Sequence, residues 1–203
     1  MTPEDLPLPA ADPDAVAAAT ARFVASAAAD VDVAYDVFET PVGELVAAMT
    51  PSGLVRVAYS DWNGGPDAVV EDLARRLSPR VLAAPARLDP LRRELEEYFD
   101  GHRTAFAVPL DWTLVVAFGR RVLRATAAIP FGQTSTYGRV AAAAGNPKAA
   151  RATGNALGQN PIPIVVPCHR VLAAGGLGGY TGGTERKELL LGVEGALPPR
   201  LPG

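Results

Sequence analysis

Cysteine is almost missing from this chain: of 203 residues only Cys168 carries a thiol, so no internal disulfide can form. Histidine is nearly as scarce. With only His102 and His169, no zinc-finger spacing can be assembled, and neither a metal nor any other cofactor is expected. Long apolar runs are lacking too, since none reaches the roughly 18 residues of a membrane span. No basic start followed by an apolar stretch and a small-residue cleavage site marks an export signal. These absences predict a protein without a membrane anchor that stays in the cytoplasm. Acidic residues are missing from one half only. Residues 101–203 carry 4 acids against 11 basic side chains, whereas residues 1–100 carry 18 against 8, so a net charge of −3 conceals halves of −10 and +7. A basic C-terminal lobe of this kind can track phosphates, although charge alone fits an ordinary basic domain equally well.

The length suits one large domain or two small ones. Residues 1–12 hold three prolines, and Asp12-Pro13 opens an alanine-rich stretch, residues 15–29, with good helix propensity. Short β-type runs follow at 33–39, 43–50 and 54–59. They are separated by the turns Thr40-Pro41-Val42-Gly43 and Pro51-Ser52-Gly53, which predicts an antiparallel meander. Amphipathic helices are expected over 68–77 and 91–99, the second opened by Asp89-Pro90 and closed near Gly101, with an extended piece at 104–109.

The basic half begins with an apolar helical pattern over 114–128, stopped by Pro130 and Gly132. Two short helical runs, 137–144 and 148–157, flank Gly145-Asn146-Pro147. Asn146 is placed to cap the second run and Pro147 to occupy its first turn, so the pair reads as a helix-turn-helix. Residues 160–167, Asn-Pro-Ile-Pro-Ile-Val-Val-Pro, are too proline-rich for an inner strand and too apolar for an exposed loop. A buried, rigid connection is expected there.

That connection runs into Cys168-His169. A thiol becomes a nucleophile when a nearby base or positive charge stabilises its thiolate, and His169 is an available base. Adjacent side chains of a strand point to opposite faces, so the two cooperate only on a bent segment or through water. Taken alone, such a pair is more often a structural cysteine beside a hydrogen-bonded histidine.

The wider context is more specific. Pro167-Cys168-His169-Arg170-Val171, with Asn160-Pro161-Ile162-Pro163-Ile164-Val165-Val166 before it and Gly145-Asn146-Pro147-Lys148-Ala149-Ala150-Arg151-Ala152 upstream, closely resembles the O6-alkylguanine-DNA alkyltransferases, also called methylated-DNA–protein-cysteine methyltransferases. The resemblance runs from about residue 130 to 194 and extends more weakly to the meander and to the helix over 91–101. It implies an α+β protein: an N-terminal antiparallel β-sheet with helices (ribonuclease H-like), then a mostly helical C-terminal lobe with a helix-turn-helix. The expected divisions are an extension, 1–30, an N-terminal domain, 31–109, and a DNA-binding and alkyl-acceptor domain, 110–203.

The implied activity is irreversible transfer of an alkyl group from O6-alkylguanine in double-stranded DNA to Cys168, one turnover per molecule, with O4-alkylthymine as a second substrate. By the same resemblance Glu194 orients His169, which acts on Cys168 through a bound water. The target atom faces the duplex interior, so the nucleotide must leave the stack. Arg151 matches the finger that fills the gap, from a helix placed in the minor groove, with Lys148, Ala150 and Gly154 beside it as DNA contacts. Tyr137 matches a tyrosine that crowds the target phosphate and protonates the leaving guanine, and Asn160 matches a hinge that supports the cysteine segment. Val171, Tyr180, Thr181 and Pro163 match the substrate pocket. A monomer is expected.

The chain departs from the family pattern at Leu123, where an aromatic residue is more usual, and in a spacing from Cys168 to Tyr180 that is one residue short, which bears on pocket width. Three rival readings follow from the same residues. A non-catalytic alkyltransferase-like lesion sensor would lack the cysteine. A helix-turn-helix regulator would carry base-reading polar residues where 148–157 is mostly Ala and Gly, and a cysteine hydrolase would turn over repeatedly.

Overall fold

The computed structural model describes residues 12, 14–16 and 31–197, so the helix expected over 15–29 lies almost wholly outside the described residues. Asp12 Oδ1 accepts from Asp14 N at 3.0 Å and the Asp12 carbonyl from Val16 N at 2.9 Å, opening a helical turn. The rest of the fold is built from residue 32 onward.

Strands β1 (Val33–Phe38), β2 (Leu45–Thr50) and β3 (Gly53–Tyr59) form the antiparallel meander, with Phe38 opposite Leu45 and Leu45 opposite Tyr59. Gly53 is required where it stands. At φ +137° a Cβ there would sit 2.4 Å from the Pro109 carbonyl oxygen, to which Leu54 N donates at 2.8 Å. The stretch 104–109 thus meets the sheet edge without becoming a strand; only Leu110 bridges to Leu54. A fourth strand, β4 (Val81–Ala83), pairs parallel with β1 and makes the sheet mixed, in the order β3-β2-β1-β4.

Two helices cover the sheet. Helix α1 (Pro66–Arg76) starts with proline in its first turn, where a missing N–H costs nothing, and ends on Arg75 and Arg76, which suit the negative helix end. Its Val69 and Leu73 join Val33, Val46, Ala48 and Val55 in one buried cluster. Helix α2 (Pro85–Phe99) packs on β1 and β2 and buries Leu88, Leu91, Leu95 and Tyr98. It begins six residues before the expected start at Leu91. Pro85 takes the N-terminal proline position, and Pro90 lies inside the helix rather than opening it.

The C-terminal part holds α3 (Ala117–Ala127), the short parallel ribbon β5 (Ser135–Thr136) with β6 (Val171–Leu172), α4 (Tyr137–Ala143), α5 (Ala150–Gly158) and α6 (Thr184–Val193). Helices α4 and α5 form the helix-turn-helix and pack on α3. Asn146 does not cap α5. Its backbone N–H donates to the Ala141 carbonyl at 2.9 Å, while Gly145 N donates to the Ala142 carbonyl at 3.0 Å, so Asn146 closes α4 in a Schellman turn. Pro147 and Lys148 fall in the turn that follows, and α5 starts only at Ala150.

Candidate active site

After the exposed Gln159 that follows α5, residues 160–170 are buried except for a half-buried Val165. Their backbone is bent hard enough to place Ile164 at φ 73°, an uncommon conformation for a β-branched residue that costs on the order of 1–3 kcal/mol. Asn160 holds this bend. Its Oδ1 accepts from Ile162 N at 3.0 Å and its Nδ2 donates to the Val166 carbonyl at 2.9 Å. The same Nδ2 lies 3.2 Å from Cys168 Sγ.

Cys168, His169 and Arg170 form one turn of 3-10 helix, so the thiol and the imidazole are not on opposite faces of a strand. Cys168 lines a cavity of about 150 Å³ with Tyr137, Gly154, Leu157, Gly158, Gly179 and Tyr180. His169 is fully buried, and its Nε2 is 2.8 Å from Glu194 Oε1. Its Nδ1 is buried with no protein partner among the described residues, which leaves that nitrogen for proton exchange.

Glu194 owes its position to the end of α6. It is the C-cap, and Gly195 and Ala196 close the helix behind it through Gly192 and Leu191. A carboxylate at a helix C-terminus is disfavoured by the dipole, and here five donors offset that. Tyr98 Oη (2.7 Å), His169 Nε2 and Arg170 Nη2 (2.9 Å) reach Oε1, while Arg170 Nε (2.8 Å) and Gly132 N (3.3 Å) reach Oε2.

The electrostatics follow from this packing. Burial works against the Glu194 charge, but the hydrogen bonds from His169 and Arg170 prevail and hold its pKa down at about 2. Burial lowers the His169 pKa below the usual imidazole value despite Glu194, so the ring is neutral and able to accept a proton. Burial also pushes the Cys168 thiol up to about 11, against the opposing pull of Asn160 and Lys187. The resting group is therefore a thiol. Lys187, brought down to about 8 by burial, donates through Nζ to the carbonyls of Val171 at 2.7 Å and Leu177 at 2.5 Å.

Of the residues expected at the site, Cys168, Tyr137, Tyr180 and Gly154 share the cavity wall. Val171, Thr181 and Pro163 are not among its lining residues. The Val171 carbonyl is taken by Lys187, Thr181 Oγ1 donates to the Gly158 carbonyl at 2.9 Å, and Pro163 is buried in the bend. Arg151 and Ala150 are exposed at the start of α5, and Lys148 is exposed in the turn before it. Arg170, Tyr98 and Lys187 received no role from the sequence, because their contacts join segments far apart in the chain. A larger cavity, about 580 Å³, takes the Ala152, Asn155, Ala156 and Gln159 side of α5 together with Arg56 and Arg76, and it holds no nucleophile. Among the described residues no three His, Cys, Asp or Glu side chains converge as metal ligands, and no helix is long and apolar enough to cross a membrane.

A helix-turn-helix bordering a buried thiol, joined to a small mixed sheet, defines a class of two-part α+β proteins. Comparison with known proteins narrows it. Residues 117–196 match the DNA-binding domain of 6-O-methylguanine DNA methyltransferase and residues 33–112 its ribonuclease-like domain. A methylated-DNA–protein-cysteine methyltransferase of Methanosarcina acetivorans is 39% identical over 80% of this chain and 98% of its own length. The constitutive enzyme of that name from Bacillus subtilis is 37% identical, with 79% and 94% covered. The crystal structure of Mycobacterium tuberculosis OGT in complex with DNA superposes with a TM-score of 0.68 at 37% identity, covering 80% of this chain and 93% of that one. The chain belongs to the 6-O-methylguanine DNA methyltransferase family.

Proposed function

We propose that this protein repairs DNA by direct reversal, moving the alkyl group of O6-alkylguanine, and of O4-alkylthymine, onto Cys168. The observation that carries the reading is a lone thiol that opens on a cavity and is followed in the chain by a buried histidine whose carboxylate partner is fully held. The thiol proton passes to His169 Nδ1 through water, and Glu194 stabilises the imidazolium that forms. The sulfur attacks the alkyl carbon, the carbon–O6 bond breaks as the carbon–sulfur bond forms, and the guanine leaves with a proton from Tyr137. The thioether is stable, so each molecule acts once.

The substrate is double-stranded DNA, bound through the minor groove by a monomer in the cytoplasm, with residues 110–203 as the binding and acceptor domain and 31–109 as its support. Arg151 and Ala150 lie on the exposed start of the helix-turn-helix's second helix and Lys148 in the exposed turn before it, as such an interface requires. Arg151 fills the gap left by the extruded nucleotide. A Cβ added at Gly154 would come within 3.7 Å of the Tyr137 ring, so the glycine keeps that part of the cavity wall open.

The test is to incubate the full chain with a duplex containing one O6-methylguanine and to map the modified peptide. One methyl group per protein on Cys168 is expected. Binding without alkylation would make the protein a lesion sensor, and turnover beyond one equivalent would exclude the single-use mechanism.

A further inference from the structure

We infer that Tyr59, a residue of the N-terminal sheet, is a positioning residue that fixes the Tyr180 wall of the Cys168 cavity and so limits the size of the alkyl group accepted; this rests on reading that cavity as the alkylguanine site. The two phenol oxygens are 2.6 Å apart, and the rings meet edge to face with centroids 6.1 Å apart. The Tyr180 ring also meets the His169 ring edge to face, with centroids 6.4 Å apart.

The partners differ in freedom. Tyr180 stands in a run with glycine at 175, 176, 178, 179, 182 and 183, a composition that by itself holds no fixed shape. Tyr59 ends β3, is 1% exposed, and is gripped from two sides. The Arg186 guanidinium stacks over its ring at 4.6 Å. Gly182 presses against it so closely that a Cβ there would lie 2.5 Å from Tyr59 Cδ2. Arg186 is itself pinned, donating to the carbonyls of Val42 (2.7 Å) and Gly182 (2.8 Å) and to Asp61 Oδ2 (2.8 Å). Tyr59 is thus the fixed ring and Tyr180 the adjustable one, and the hydrogen bond between them carries the position of the sheet to the pocket wall. Burial raises the pKa of both phenols, so the bond is a neutral one at physiological pH.

Tyr59→Phe cuts this bond, leaves the Tyr59 ring in place and frees the wall to move outward. The measurement is the rate constant for Cys168 alkylation by duplexes carrying O6-methylguanine or O6-benzylguanine, read by mass spectrometry for the full chain and the variant. The benzyl-to-methyl ratio is expected to rise roughly fivefold in the variant, on the order of what one neutral hydrogen bond sustains. Tyr180→Phe cuts the same bond from the other side, and adding Tyr59→Phe to it is expected to change the ratio no further. An unchanged ratio, or equal losses on both substrates, overturns the inference while leaving the alkyl-acceptor reading intact. A wild-type protein that takes neither group overturns both. If Tyr59→Phe fails to fold, Arg186→Lys, which keeps the charge but loses the planar stack and fork, must move the ratio in the same direction.

Discussion

Asn160 Nδ2 donates to the Val166 carbonyl at 2.9 Å and lies 3.2 Å from Cys168 Sγ, so one amide group both braces the bend and touches the thiol. A role confined to the hinge would be tested by melting alone. Contact with sulfur adds a chemical consequence. Asn160→Asp replaces a donor with a carboxylate beside the thiol and disfavours the thiolate. The alkylation rate at pH 7 should fall about tenfold, the equivalent of one pKa unit, and the rate profile should move to higher pH. An unmoved profile would return Asn160 to a purely structural role.

Cys168 and Lys187 titrate against each other. With the thiol at about 11 and Lys187 at about 8, neutral solution holds a protonated thiol near an ammonium that favours its ionisation. Alkylation by a small reagent such as iodoacetamide should quicken by roughly tenfold per pH unit as thiolate accumulates. Above about pH 8 Lys187 loses its charge and that assistance, so the slope should lessen there. Lys187→Met should react more slowly at pH 7 and show no break; an identical break in that variant would assign it to another group.

Glu194 contributes to the stability of the fold through its charge. Its folded pKa of about 2 lies below the ordinary 4.5, so the stabilisation is fully present above pH 4.5 and is lost as pH falls toward 2. Glu194→Gln leaves the buried Arg170 guanidinium without its carboxylate, which should cost about 3–5 kcal/mol at neutral pH. Denaturant melts of both proteins from pH 7 to pH 2 should show their difference shrinking across that window. A gap that stays constant with pH would mean the carboxylate's charge is not what stabilises the fold.

Much of this arrangement was legible in the sequence, and the gaps have physical causes. The meander was readable because alternating apolar runs are separated by Pro-Val-Gly and Pro-Ser-Gly turns. Strand β4 was not, since three residues pairing with β1 some 48 positions away leave no local pattern. Pro90 misled because proline usually opens a helix, yet Pro85 had already done so. Cys168 and His169 stood out through their surroundings, whereas Glu194 came only from the family resemblance. A physical signal existed for it: Glu-Gly after an apolar helical run marks a C-cap that fixes a side chain in space. Arg170, Tyr98 and Tyr59 act through contacts between distant segments, which no single stretch of sequence encodes.

Gly182 gives a sharper test of how tightly the glycine-rich wall is seated. At φ +101°, with the Tyr59 ring 2.5 Å from any added Cβ, Gly182→Ala meets both backbone strain and overlap with a ring that Arg186 prevents from yielding. The loss should exceed about 1 kcal/mol and lower Tm by at least about 2–4 °C. Gly175→Ala has no heavy atom within 4 Å of its added Cβ and a φ outside the left-handed region, so it should leave Tm nearly unchanged. Equal effects at the two positions would show that the wall is not held where Tyr59 meets it.

Substitution of Arg151 tests whether access to the substrate is separable from reaction with it. It is exposed in the first turn of α5 and takes no part in the wall around Cys168, so its removal should leave the thiol, His169 and Glu194 as they are. Arg151→Ala should slow repair of an O6-methylguanine duplex about tenfold or more at subsaturating protein, while alkylation by free O6-benzylguanine stays within about twofold. Lys148→Ala serves as the comparison. If Lys148 contacts phosphate as proposed, this change should weaken duplex binding and reduce the salt slope by about 1 without a separate effect on nucleotide extrusion. A fluorescent base analogue at the lesion would then distinguish them, since Arg151→Ala should lower the extruded population of bound DNA and Lys148→Ala should not. If Arg151→Ala slows the duplex and the free base alike, the side chain supports the cavity itself and the division between access and chemistry fails.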